Sequence, residues 1–121
     1  MTTILLIRHG ETVDNARQIM QGQTQGELNE QGREQARQVA ERLATEPIDA
    51  VVASDLHRAI QTAEIIAAPH GLVVRTTELL RELIGAALRG AIFPTCAVRR
   101  GLTILRARMH CFSAHVLFLY I

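Results

Sequence analysis

The chain has 121 residues, enough for about one small domain, with 48% hydrophobic and 21% charged side chains, which sets aside collagen-like, extensively disordered and disulfide-dense secreted classes. All 13 basic residues are arginine, so a Schiff-base lysine, a Walker-type phosphate lysine and a kinase-type nucleotide lysine are excluded for these residues. A formal net charge of +1 gives no general attraction to nucleic acid.

The apolar run Ile4-Leu5-Leu6-Ile7 predicts a strand buried on both faces of a parallel sheet, ended by the polar Arg8-His9-Gly10. Residues 11–28 have no period and include Gly22 and Gly26, the pattern of a long surface loop, and such loops are more often functional than idle. Asn29, Glu30 and Gln31 look like a helix cap, and Ala36, Val39, Ala40 and Leu43 recur at helical spacing up to Pro47. Gly32 in the first turn weakens that helix slightly. Ala50-Val51-Val52-Ala53 predicts a second strand. Ser54 or Asp55 then caps a second helix with the apolar stripe Leu56, Ile60, Ala63 and Ala67, stopped by Pro69 and Gly71. Leu72-Val73-Val74 predicts a third strand. The alternation implies an α/β fold, a three-layer, mostly parallel sheet flanked by helices, with ligands at the carboxyl ends of the strands.

Usage changes abruptly after Glu82. Residues 1–82 hold eight arginines against twelve acids, a net of −4; residues 83–121 hold five arginines and no acid, a net of +5, with every Phe, the Tyr and both Cys. The expected organisation is therefore a first part, 1–82, and a divergent tail, 83–121. The closing run from Val116 to Ile121 is six residues, where a membrane span takes roughly twenty; it reads as exposed stickiness or as one buried strand. Met1-Thr2-Thr3 carries no basic side chain and the apolar run behind it is too short for a signal-peptide core, so a cytoplasmic location without a membrane partner is the expectation.

Two clusters carry chemistry. Arg8-His9-Gly10-Glu11-Thr12 places a cation, an imidazole and a flexible glycine where a strand hands over to a loop; the plain alternative is a solvated surface turn. Ser54-Asp55-Leu56-His57-Arg58-Ala59-Ile60-Gln61-Thr62-Ala63 places Arg58 in the first turn of a helix at the same sheet edge. Two guanidinium groups beside a helix N-terminus suit a phosphate, whereas alone Arg58 could simply pair with Asp55 or Glu64 on the helix surface.

These segments resemble the histidine phosphatase superfamily, which includes phosphoglycerate mutases and bacterial phosphomonoesterases. The likeness covers about residues 3–82 and rests on Arg8 to Thr12 with Asn15, on Gln21-Gly22, on Leu28 to Gly32, on Ser54-Asp55-Leu56 with Arg58-Ala59 and Gln61-Thr62-Ala63, and on Leu80-Arg81-Glu82. It implies a phosphoglycerate mutase-like fold and catalysis by His9, Arg8, Arg58 and Glu82: His9 takes the phosphoryl group, the two arginines cradle it, and Glu82 gives a proton to the leaving oxygen. Arg8, His9, Gly10, Glu11, Thr12, Asn15, Gln21, Gly22 and Arg58 would bind a small phosphorylated metabolite, with no metal, cofactor or nucleic acid. Positioning and charge stabilisation are what phosphoryl transfer needs. Nearby arginines lower the His9 pKa and favour the neutral, nucleophilic ring, and a backbone carbonyl is expected to hold its other N–H. Glu82 without that likeness is an ordinary solvated glutamate.

Beyond Glu82 the resemblance stops. The family's second phosphate-lining histidine has no counterpart, since His110 and His115 are followed by Cys111 and Val116, and the chain ends early, leaving the fold incomplete at its C-terminus. A single-base deletion after Glu82 accounts together for the charge break, the aromatics and the lost motif. As evolved structure, the tail offers Cys96, His110, Cys111 and His115 without the close Cys pair of a zinc site, a Cys96–Cys111 disulfide out of place in the cytosol, and Arg99, Arg100, Arg106 and Arg108 as a basic face for an acidic partner. Two functions follow: metal-independent phosphomonoester hydrolysis through a phosphohistidine, with a mutase-type isomerase as a variant, or a truncated, non-catalytic relative that at most binds phosphate.

Overall fold

The computed structural model describes residues 2–19, 25–81, 104–109 and 115–120. Strand β1 (Thr2–Arg8) contains the first apolar run and extends it at both ends. Leu5 and Ile7 are buried whereas Ile4 and Leu6 are half-buried, the period-two alternation of a strand with one face fully in the core. Burial on both faces is corrected to that extent.

The loop expected over residues 11–28 includes a single helical turn, α1 (Val13–Ala16). Thr12 Oγ1 accepts from the Asn15 N–H and Asn15 Oδ1 accepts from the Thr12 N–H, a reciprocal cap. Thr12 also bridges to Leu28, closing the loop on itself. Helix α2 (Glu30–Leu43) starts where Asn29 predicts, the Asn29 Oδ1 accepting from the Gly32 N–H at 2.7 Å, and it turns Gly32, Ala36, Val39, Ala40 and Leu43 inward. Strand β2 (Ala50–Ser54) buries Val51 and Ala53.

Helix α3 (His57–Ala67) differs from expectation at its start and in its face. Its N-cap is Leu56, with no side-chain cap; Ser54 Oγ instead accepts from the Leu56 N–H at 3.4 Å and shapes the turn ahead of the helix. The buried face is Arg58, Ala59, Thr62, Ala63, Ile66 and Ala67, so Ile60 sits only half-buried and two polar residues point inward. A 3₁₀ turn over Ala68–His70 ends at Gly71, which takes the left-handed conformation at φ 63°. Strand β3 (Val74–Thr77) begins later than predicted, its ladder with β2 running from Val51 paired with Val74 to Ser54 paired with Thr77. Leu72 and Val73 fall before that register.

Strands β4 (Ile104–Met109) and β5 (His115–Tyr120) complete a five-stranded sheet in the order β3-β2-β5-β1-β4, larger than the three strands read from the sequence. β1 and β2 are not paired with each other; β5 runs parallel between them, and β4 pairs antiparallel with β1. Through β5, Leu5 shares a row with Val51, and Ile7 with Ala53. Both long helices pack on this face, Val39, Ala40, Leu43, Ala63, Ile66 and Ala67 forming one core with those four strand residues. Each fully buried Ile or Val there contributes about 1.5–3 kcal/mol. Among the described residues no helix is long and apolar enough to cross a membrane.

Candidate active site

The parallel arrangement of β1 and β2 about β5 puts their carboxyl ends at one edge of the sheet. From β1 come Arg8, His9 and Gly10. From β2 the Ser54 turn leads into α3 and delivers Arg58 in the first helical turn, with Thr62 one turn later on the same face.

His9 is buried, and its Nδ1 lies 2.7 Å from the Gly10 carbonyl oxygen. A carbonyl can only accept, so Nδ1 carries the proton and Nε2 keeps its lone pair. Burial is the main force on this ring and lowers its pKa from 6.5 to about 4, against the upward pull of the Gly10 hydrogen bond and with Arg58 and Arg8 adding to the fall. Desolvation thus outweighs the arginine charges that the sequence suggested as the cause, and the ring is neutral near pH 7.

Arg58 is 1% exposed, the largest fully buried side chain described. Burial lowers its pKa, the Arg8 charge lowers it further, and Asp14 on α1 counteracts both. Arg8 itself is exposed. Asp55, considered above as a surface partner for Arg58, is engaged by Arg81 through two hydrogen bonds, and that guanidinium holds the Asp55 carboxyl below its usual range. The amide groups opening α3 are also engaged: the His57 N–H donates to Gln25 Oε1 at 3.1 Å and the Arg58 N–H to the Gln25 carbonyl at 3.3 Å. The anion-attracting group at this helix end is therefore the Arg58 side chain.

An open cleft of about 230 Å³ is lined by Arg8, His9, Gly10, Glu11, Asn15 and Gln35. Glu11 is fixed at three points: its N–H donates to Gln35 Oε1 (2.9 Å), its carbonyl accepts from the Asn29 N–H (3.0 Å), and its Oε1 accepts from Asn29 Nδ2 (2.6 Å). Thr12 is fully buried, its hydroxyl committed to the cap of α1. Gln21, Gly22 and Glu82 lie outside the described residues, as do the Cys and His of the tail other than His115. Four residues in this region went unread as site residues: Asp14, Gln25, Gln35 and Thr62. A carboxylate in a first helical turn, or a glutamine in a loop or on a helix surface, has no distinguishing signal in one sequence, whereas Gln61-Thr62 stood inside a quoted motif. Among the described residues no group of three or more His, Cys, Asp or Glu side chains could hold a metal ion.

Residues 4–107 match the histidine phosphatase superfamily (branch 1). Phosphoglycerate mutase-like protein 4 of Arabidopsis thaliana is 48% identical over 92 residues, 74% of this chain and 40% of that protein. A mycobacterial glucosyl-3-phosphoglycerate phosphatase solved with VO3 superposes with a TM-score of 0.62 at 42% identity, over 64% of this chain and 37% of that one. Phosphoserine phosphatase of Entamoeba histolytica, in complex with 3-phosphoglyceric acid, gives a TM-score of 0.61 at 37% identity over 76% of this chain and 49% of that one. The chain spans about 40% of the length of the curated relatives it matches.

Proposed function

Because the chain belongs to the histidine phosphatase superfamily, branch 1, we propose that it hydrolyses phosphate monoesters of small metabolites with His9 as phosphoryl acceptor. The His9 Nε2 lone pair forms a bond to phosphorus as the ester P–O bond breaks, and the leaving oxygen takes a proton from Glu82. Water then attacks phosphorus as the P–Nε2 bond breaks and gives its proton to the Glu82 carboxylate, which releases phosphate and restores both the ring and the acid. Arg8 and Arg58 supply the positive charge on the equatorial oxygens, so the step needs no metal. Asn15, which lines the cleft, adds its side-chain amide N–H groups to the phosphate contacts, whereas the N–H groups of Gly10, Glu11 and Thr12 are held by Thr62, Gln35 and Asn15; Gln21 and Gly22 are assigned to substrate by the family resemblance alone.

One observation carries this reading: a buried imidazole with Nδ1 committed to the Gly10 carbonyl, neutral at pH 7, under the influence of two guanidinium groups. Neutral Nε2 is the form that attacks phosphorus, and two arginines suit a dianion. The relatives' names support the substrate class, since they include a phosphatase of glucosyl-3-phosphoglycerate and a phosphoserine phosphatase.

The test is incubation of the full chain with para-nitrophenyl phosphate, followed by alkaline quench and detection of alkali-stable, acid-labile phosphate on His9. Nitrophenol release and label in the wild type, both lost in His9→Ala, are expected. Hydrolysis that survives His9→Ala rejects the reading, and phosphate binding without label or turnover reduces the site to phosphate capture.

A further inference from the structure

Gly10 stands between two peptide groups, and both are held by side chains that the catalytic scheme does not use. The peptide joining His9 to Gly10 points its N–H at Thr62 Oγ1, 3.1 Å away. The Thr62 hydroxyl sends its own proton to the Arg58 carbonyl at 2.8 Å, and Thr62 is fully buried. The directions are forced, because a hydroxyl has one proton and the Arg58 carbonyl can only accept it. The peptide joining Gly10 to Glu11 gives its carbonyl to His9 Nδ1 and its N–H to Gln35 Oε1 at 2.9 Å.

We infer that Thr62 and Gln35 are positioning residues that clamp the backbone on either side of Gly10, and so fix the tautomer and aim of His9 relative to Arg58. The inference rests on His9 being the phosphoryl acceptor. One buried hydroxyl ties the strand end that carries the imidazole to the helical turn that carries the buried guanidinium, through bonds at 3.1 and 2.8 Å. The Gln35 contact acts on the other peptide. An amide whose N–H is bonded becomes a stronger acceptor at its carbonyl, since hydrogen bonds in a chain polarise one another. The Gly10 carbonyl therefore holds the Nδ1 proton better, leaving Nε2 free. Glycine at position 10 resists reorientation less than any other residue, so its peptide planes need this external hold.

The test compares Thr62→Val, which keeps the shape and loses both hydrogen bonds, with Thr62→Ser, which keeps the hydroxyl, and with Gln35→Ala on the half-buried face of α2. Nitrogen NMR of the full chain, with His9 assigned by difference from His9→Gln, reads the tautomer at pH 7. The ratio of Nδ1–H to Nε2–H forms is expected to fall about five-fold in Thr62→Val and in Gln35→Ala, the equivalent of about one neutral hydrogen bond, and to return in Thr62→Ser. With para-nitrophenyl phosphate, kcat falls about ten-fold in Thr62→Val and in Gln35→Ala and recovers in Thr62→Ser, while KM stays near the wild-type value because Arg8, Arg58 and Asn15 remain. A tautomer shift rescued by serine supports the clamp even if the wild type turns over no ester, in which case the missing turnover counts against the phosphohistidine reading alone. An unchanged tautomer in Gln35→Ala and Thr62→Val, or a serine variant as defective as the valine one, overturns the clamp even where hydrolysis is intact.

Discussion

Gly10 and Gly32 meet backbone to backbone: a methyl group on Gly10 would run into the Gly32 carbonyl, and one on Gly32 into the carbonyl and N–H of Glu11. This contact seats the first turn of α2 directly against the segment that follows His9, which is how Gln35 reaches the Glu11 N–H and Asn29 reaches both ends of Glu11. The glycine that reads as a flaw in a helix is the point where the helix docks onto the site.

Alanine at either position is expected to cost more than about 2 kcal/mol, because backbone cannot swing aside as a flexible side chain can. Gly71 is the control. It has a positive φ but open space around it, so Gly71→Ala carries only the left-handed strain, about 1–2 kcal/mol. Urea unfolding midpoints at constant slope measure the difference; equal losses at positions 32 and 71 would mean that the close approach is not a constraint.

Stability near neutral pH contains a contribution from His9. Its folded pKa of about 4 lies below the unfolded 6.5, so the unfolded chain binds the extra proton first, and the contribution is complete above pH 6.5 and lost as pH falls to about 4. At full development it is about 3 kcal/mol. The melting temperature of the wild type should therefore drop between pH 7 and pH 4.5 more than that of His9→Gln, which has no ring to protonate. A further loss, shared by both, follows below about pH 3.8 as Asp55 protonates and releases Arg81. Parallel curves for the two proteins across pH 4 to 6.5 would contradict the placement of His9.

The role proposed for Arg58 is separable from its part in stability. Burial and the Arg8 charge disfavour its cationic form while Asp14 supports it, and Arg58→Met takes away one member of that charged group and leaves the Asp14 carboxylate behind, which costs stability where replacing a whole buried pair often does not. Arg58→Met is expected to melt below the wild type and to lose the thermal shift that inorganic phosphate produces. Arg58→Lys keeps the charge but not the two-pronged geometry and should weaken phosphate binding about ten-fold or more, read by titration calorimetry at fixed salt. Phosphate binding as strong in Arg58→Met as in the wild type would remove this residue from the cradle.

The strands were legible as short apolar runs, Ile4 to Ile7 and Ala50 to Ala53, but such a run does not show that only Leu5 and Ile7, or Val51 and Ala53, are fully buried. Helix α2 was legible by its period, because Ala36, Val39, Ala40 and Leu43 recur on one face. Apolar periodicity misleads where the protein buries polarity. The inward face of α3 includes Arg58 and Thr62, so an apolar count shifts the stripe towards Ile60. β3 slid because pairing with β2, rather than apolar content, decides where an edge strand starts: the paired stretch is Val74 to Thr77, while Val73 is 85% exposed. The place of β5 between β1 and β2 is set by long-range pairing, which one sequence does not display. For the site, residue types and order pointed to His9, Arg8 and Arg58. The hydrogen bonds beside His9 and Arg58 run through Gly10, Gln35 and Thr62 and join segments distant in sequence.

Asn29 joins helix start and site in one side chain, its Oδ1 capping α2 at the Gly32 N–H and its Nδ2 donating to the Glu11 carboxylate at 2.6 Å. Asn29→Ala removes both contacts and should cost about 1 kcal/mol from the cap, with more from the freed carboxylate. Asn29→Asp separates the two roles, because aspartate caps a helix as well as asparagine but turns an acceptor towards Glu11. Two carboxylates at hydrogen-bonding distance cannot both stay ionised cheaply, so one of them acquires a raised pKa in the folded state. A raised carboxyl pKa gives stability that is present at low pH and lost as pH rises through the folded value. Asn29→Asp should therefore be no more stable than Asn29→Ala at pH 7 and should overtake it as pH falls towards 5, measured by urea midpoints of both variants across that range. An aspartate variant matching the wild type at pH 7 would show that the Nδ2 contact to Glu11 contributes nothing to holding the segment behind His9.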